Sequence, residues 1–213
     1  MLQAIAERRC APSILSAGDA LKTSESMDFR KVEEPGVEAG LLAGRARGGC
    51  EESFARLVTL FHGRIFNYLM QMTRNAHDAE DLTQVTFVKA YRNLGRFQST
   101  HAFSSWLFTI ARRTALNHFR AAWPGDELTE EHPDGGDDPA ESLARRDDRD
   151  AVWSMARRLK PLQFELLWLR YGEGFSTEEA ARILRINPIT VRVLLHRARN
   201  LLAKQLKRNS HVT

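Results

Sequence analysis

The sequence predicts an all-α protein: two small helical domains joined by an acidic flexible linker, the C-terminal domain a helix-turn-helix. Three observations carry this. Apolar residues recur at helical spacing from Val37 to Arg120 and again from Ala151 to Leu202. Between these stretches, residues 122–149 hold three prolines, three glycines and dense acid, a linker composition that cannot form a core. Near the C-terminus, two short helical patterns meet at a tight turn, and the second is basic.

A chain of 213 residues has room for one or two domains with real cores. No apolar run approaches the roughly 18 residues of a membrane-spanning helix. The start, MLQAIAERRCAPSILSAG, lacks the continuous apolar segment of a secretory signal, so a cytoplasmic protein is expected. Cys10 and Cys50 form no CxxC pair, and the histidines show no ligand spacing. Neither a disulfide framework, a metal site nor a cofactor is expected. The net charge of +4 is unevenly spread: residues 1–50 balance, 51–120 carry +4, 121–150 carry −8 and 151–213 carry +8. Two basic segments flanking an acidic connector favour a polyanionic partner for the ends.

Residues 1–36 are small and polar, break at Pro35-Gly36, and read as a flexible tail in which Met27 is a candidate true start. A short helix from Val37 then stops at Gly48-Gly49. The GRARGG run there lacks the Lys-Ser/Thr and preceding strand of a phosphate loop. From Glu51 to about Arg74, Phe54, Leu57, Val58, Phe61, Ile65, Tyr68, Leu69 and Met72 make a core stripe. After a break at Asn75-Ala76-His77, the stretch DAEDLTQVTFVKAYRNLGRF predicts a helix over 78–94 with an acidic first turn, stopped by Gly95. Thr83, Phe87, Ala90 and Leu94, joined by Tyr91, face the core. Asp81, Gln84, Val85, Val88 and Arg92 line up on the opposite side. Two valines among polar residues there suit a helix used on both faces, although an ordinary amphipathic helix reads the same way.

Gly95 to Ala102 is a polar loop with one aromatic, Phe97. The helix that follows, Phe103 to Arg120, buries Phe103, Leu107, Ile110, Ala111 and Thr114. Trp106, Arg113, Asn117 and Arg120 share a second stripe, which can stack bases and meet phosphates or be a solvated basic face. After the linker, Ala151, Val152, Met155 and Leu159 resume the helical pattern, and Pro161 suits the first turn of the next helix. Gly172-Glu173-Gly174 breaks it. Ser176-Thr177-Glu178-Glu179 is a capping box opening a short helix. Asn187 and Pro188 are the cap and first position of the last helix, which buries Val191, Leu195, Ala198 and Leu202. Its basic face holds Arg192, His196 and Arg199. In a helix-turn-helix, Thr190, Arg192 and Val193 are placed for base contact, and Arg197, Arg199 and Lys204 for phosphates.

Three runs in this order, DAEDLTQVTFVKAYRNLGRF, FSSWLFTIARRTALNHFR and LRYGEGFSTEEAARILRINPITVRVLLHRAR, resemble a bacterial RNA polymerase sigma factor of the extracytoplasmic-function class. The resemblance covers roughly residues 37–121 and 150–207. It implies a tail over 1–36, a polymerase-binding and minus-ten promoter-melting domain over 37–121, an acidic linker over 122–149 and a minus-thirty-five-binding domain over 150–213. By that resemblance Asp81, Gln84, Val85, Val88 and Arg92 dock on the polymerase core. Phe97, Gln98, Ser99, Thr100 and His101 receive an unstacked minus-ten base, and Trp106, Arg113, Asn117 and Arg120 hold the strand. Thr190, Arg192, Val193, His196, Arg197 and Arg199 read the minus-thirty-five element. The implied partners are polymerase core, promoter DNA and an anti-sigma factor, often membrane-bound, with no small-molecule substrate. The implied role is initiation at a specialised, stress or envelope-response, set of promoters, with catalysis left to the polymerase. A conventional helix-turn-helix regulator or a helical adaptor is the rival reading.

The chain departs from the family pattern where Val85 replaces a usual acid, where Asn117 replaces a frequent Asp, and in Ile189-Thr190-Val191-Arg192-Val193-Leu194. There only Thr190, Val191 and Arg192 match the usual Gly-Thr-Val-Lys/Arg-Ser-Arg. Polar DNA-facing positions have become apolar, which points to reading by DNA shape or thymine methyl groups.

Overall fold

Two groups of helices form around one continuous hydrophobic cluster in the computed structural model, which describes residues 36–98, 102–122 and 148–209. The first lobe comprises α1 (Gly36–Arg47), α2 (Glu51–Thr73), α3 (Ala76–Asn93) and α4 (Phe103–Ala122). The second comprises α5 (Asp148–Ala156), α6 (Pro161–Leu167), α7 (Thr177–Leu184) and α8 (Pro188–Asn209). No strand occurs among the described residues. Residues 1–35 of the expected tail and 123–147 of the expected linker lie outside them, and Gly36, expected in the tail, begins α1. α5 begins at Asp148, inside the segment expected to be linker.

In the first lobe α2 is the central post, packed against α1, α3 and α4. Its buried stripe is Leu57, Phe61, Ile65, Tyr68 and Leu69, and each fully buried side chain of this size is worth about 1.5–3 kcal/mol. The helix ends where Arg74 turns left-handed and its N–H bonds back to the Met70 carbonyl. α3 starts two residues before the expected Asp78, because Asn75 is the cap: its Oδ1 accepts from the amides of His77 and Asp78 at 2.9 and 3.3 Å. Thr83, Phe87, Ala90 and Leu94 are buried as the period predicts, together with Ala79, Leu82 and Thr86. Both buried threonines donate to the carbonyl four residues back, so neither hydroxyl is left unsatisfied. Tyr91 departs from expectation. It is 49% exposed and lies edge-on against Phe54, because one residue past Ala90 turns the side chain about 100° off the core face.

In the second lobe, Pro161 takes the first position of α6, and the helix widens into a π turn over Trp168–Gly172. A side chain at Gly172 would stand 3.2 Å from the Trp168 ring, so glycine lets the indole close over the backbone. Gly174 then takes φ +80°, a left-handed turn that leads to the cap of α7. Ser176 Oγ accepts from the Glu179 amide at 3.1 Å, and the Ser176 amide donates to Glu179 Oε2 at 2.9 Å. Both halves of the expected capping box are present. Arg185 turns the chain left-handed at φ 57°, and Asn187 Oδ1 accepts from the Ile189 amide at 2.8 Å to start α8.

Candidate polymerase and nucleic-acid interfaces

α3 buries one face and leaves the other bare. Asp81, Gln84, Val85, Val88 and Arg92 are all exposed, the two valines at 40% and 49%. Asp81 is flanked by His77, whose Nδ1 lies 3.7 Å from its carboxylate. The result is an apolar strip bordered by opposite charges on a helix whose opposite side is anchored in the core, so the strip is held rigidly.

The turn after α3 corrects one expectation. Phe97 does not offer its ring to solvent: it is 3% exposed, set against Phe103 and Trp106 with ring centroids 5.5 and 5.3 Å away. Its carbonyl accepts from Arg47 Nη1 at 3.3 Å, which ties the turn to α1. A lone aromatic in a polar loop reads as available from sequence, but here burial of about 150–250 Å² of ring surface decides its place. Gln98 is exposed, and Ser99, Thr100 and His101 lie outside the described residues. On α4, Arg113, Asn117 and Arg120 are exposed along one side, whereas Trp106 is half-buried between this stripe and the aromatic cluster. Phe97 thus supports Trp106 from behind.

On α8, Val191, Leu195 and Ala198 are buried and Leu202 half-buried, while Thr190, Arg192, Val193, His196, Arg197, Arg199 and Lys204 are exposed. Arg192 Nη2 reaches back to Glu178 Oε1 at 3.1 Å, clamping the outer faces of α7 and α8 together. The backbone amide of Glu178 itself, in the first turn of α7, holds that carboxyl below its ordinary range, with Arg192 adding to the effect. Leu194 does not replace a DNA-facing polar residue as expected. It is half-buried against the core, and the exposed apolar residues are Ile189 and Val193.

Sequence reasoning missed the seam between the lobes, where α4 packs on α7. Arg64 on α2 donates from Nε to Glu173 Oε2 at 2.9 Å and from Nη2 to the Glu173 carbonyl at 3.2 Å. Arg112 on α4 donates from Nε to Glu165 Oε1 at 3.0 Å, and the Tyr68 hydroxyl donates to the same oxygen. Phe108 meets Phe175 edge-on at 4.9 Å. Burial pushes the Glu173 carboxyl above its ordinary range, and the Arg64 guanidinium opposes that. Burial, then the charge of Glu165, pushes the Tyr68 phenol well up, so it remains a donor. The only sequence signal was an arginine on the core side of α2, between Phe61 and Tyr68.

Fold and surfaces together define a two-lobed helical protein whose second lobe is a helix-turn-helix. Residues 57–124 match the model of sigma-70 region 2, and residues 149–202 that of sigma-70 region 4. The RNA polymerase sigma-H factor of Pseudomonas aeruginosa is 31% identical over 178 residues, covering 78% of this chain and 92% of that protein. CarQ, an RNA polymerase sigma factor of Myxococcus xanthus, is 34% identical over 158 residues, 72% of this chain and 88% of the relative. The extracytoplasmic-function sigma factor BldN of Streptomyces coelicolor is 32% identical over 170 residues; the match covers 78% of this chain and 64% of the length of BldN. Among solved structures, CnrH in complex with the cytosolic domain of CnrY matches with a TM-score of 0.59 at 26% identity, over 80% of this chain and 98% of that one. RpoE of Bartonella quintana, in complex with the anti-sigma factor NepR, matches at 0.57 and 26%, over 73% and 98%. This chain belongs to the extracytoplasmic-function group of the sigma-70 family of RNA polymerase sigma factors.

Proposed function

We propose that the chain docks on RNA polymerase core through the outer face of α3, engages the melted minus-ten strand with α4 and the turn before it, and reads the minus-thirty-five element with the start of α8. The observation that carries this is the exposed strip of Val85 and Val88 between Asp81 and Arg92. Its helix needs only its other face to fold, so the strip serves a partner. Arg113, Asn117 and Arg120 supply cations and an amide for the strand, and half-buried Trp106 a stacking edge beside them. Thr190, Arg192, Val193, His196, Arg197 and Arg199 face the upstream duplex, and residues 1–36, 122–149 and the two lobes act as tail, tether and modules. The protein carries no catalysis of its own, since its relatives are initiation factors. No described helix is long and apolar enough to cross a membrane. We place the protein in the cytoplasm, held at the membrane by an anti-sigma factor of the kind that RpoE binds in its complex with NepR. The promoters served are a specialised set for stress or envelope responses.

Run-off transcription with purified core, this protein and randomised promoter templates tests the reading. Discrete starts that depend on the protein are expected. No initiation, with DNA binding by the protein alone, would leave a conventional helix-turn-helix regulator.

A further inference from the structure

α8 opens with an unusual pair. Ile189 is 66% exposed and Val193 44%, one helical turn apart on the same side of a helix that otherwise presents Thr190, Arg192, His196 and Arg197. Several polar side chains near the pair are engaged within the protein, although Thr190 beside it is exposed. Arg192 is drawn back to Glu178 at 3.1 Å, and His196 Nε2 lies 3.0 Å from Asn200 Nδ2. Asn187 is occupied as the helix cap. The tip of α8 therefore offers outward two branched aliphatic side chains alongside Thr190 and its basic residues. Both are stiff at χ1, so ordering them against a surface costs little entropy.

The occupant follows from charge and chemistry. Residues 151–213 carry +8, which draws the lobe to a polyanion. A helix tip entering the major groove meets one apolar group on the base edges, the C5 methyl of thymine. We propose that Ile189 and Val193 are specificity-determining residues that read two C5-methyl pyrimidines in the minus-thirty-five element. The inference rests on the reading of α8 as the major-groove helix. Four residues of helix rise about 6 Å, against about 3.4 Å per base pair, so the two methyl groups lie within about two base-pair steps of each other.

The test uses the full chain in holoenzyme with polymerase core. Upstream elements are selected from a randomised pool, and each selected thymine is then replaced by deoxyuridine, which removes the methyl and nothing else. Two positions no more than about two steps apart should each lose about fourfold in holoenzyme occupancy, the value of one buried methyl-sized group. Ile189→Ser and Val193→Ser should each lower occupancy on the thymine template to the wild-type level on deoxyuridine, each at one of the two positions. A 5-methylcytosine placed at either position should recover part of the loss. Three outcomes overturn the proposal. If deoxyuridine is tolerated at every position while scrambling the element abolishes initiation, α8 reads DNA by other groups. If the deoxyuridine effect survives in both variants, it comes from duplex shape. If scrambling the element has no effect, the major-groove reading of α8 fails and the inference goes with it.

Discussion

Replacing Arg64 by Met removes a guanidinium from the seam and keeps the length of the side chain. Arg64 and Glu173 have side chains only 12% and 6% exposed, and their 2.9 Å contact is supported by the second bond to the Glu173 carbonyl. Taking one partner from a buried pair costs about 3–5 kcal/mol, because the remaining charge is stranded away from water. Glu173 has an alternative, which is to take up a proton. Its carboxyl already sits above the ordinary range because it is buried, and without Arg64 it moves higher. The lobes themselves keep their own cores, so the loss falls on their docking.

The sign of the pH dependence follows from this. A carboxyl raised on folding binds more protons in the docked state than in the open one, so docking weakens as pH rises from the open-state pKa through the docked one. Arg64→Met extends that window upward. Each pH unit between the open-state and docked pKa then costs up to about 1.4 kcal/mol, until opening is the cheaper route. Calorimetry across a pH series reads the result. The parent should unfold in one transition at neutral pH, as expected of a continuous core. Arg64→Met should show two, merging again on acidification. Arg64→Met with Glu173→Gln should restore a single transition at neutral pH and abolish its pH dependence, since nothing charged is left to strand. A single pH-insensitive transition in Arg64→Met would refute the electrostatic argument. Failure of the double variant to restore docking would show that Arg64 acts through packing on Phe61, Phe108 and Phe175 instead.

Three smaller perturbations test other parts of the structure. Ser176→Ala should destabilise the second lobe by about 1 kcal/mol in urea unfolding, from loss of the cap; no change would mean that Glu179 alone suffices. Phe97→Ala should cost about 3–5 kcal/mol of first-lobe stability, measured the same way. A variant as stable as the parent that fails to melt promoters would return Phe97 to a base-receiving role. Val88→Glu should abolish co-purification with polymerase core and move the unfolding free energy by less than about 0.5 kcal/mol, since the position is half exposed. Retained binding would move the docking surface off α3.

What the sequence made legible was local. A capping box spans four residues, and Ser176 with Glu179 is readable because both partners lie within one helical turn. The buried stripes of α2, α3 and α8 were legible because a single period decides them. The seam was hidden for the opposite reason. Arg64 and Glu173 stand 109 positions apart, and Arg112 and Glu165 stand 53 apart, so no local rule connects them. An arginine in a basic lobe reads as solvated unless its acid is known. Phe97 was misread because loop polarity says nothing about what lies beneath the loop. Ile189 was named only as a departure from the family pattern and given no role, because exposure depends on angle around α8. There Leu194 turns inward and Ile189 does not.

The seam also bears on how such a chain can work. The two promoter elements lie about 25 base pairs apart, or about 85 Å of B-form duplex. A packed body of this size has a radius of gyration of about 15 Å, so docked lobes cannot reach both elements at once. On the proposed assignment of the two lobes to the two elements, reading a promoter requires the α4–α7 contact to open, and the chemistry of the seam suits that requirement. Buried ion pairs contribute little net stability compared with well-packed apolar residues, because desolvation offsets most of the attraction, yet they fix which surfaces meet. Glu173 and Glu165 regain water when the lobes part, which lowers the cost of separation. A polymerase and DNA that bound only the open arrangement would then need to supply a modest differential affinity to hold it. An apolar seam of the same area would have given a firmer closed body and a poorer initiation factor.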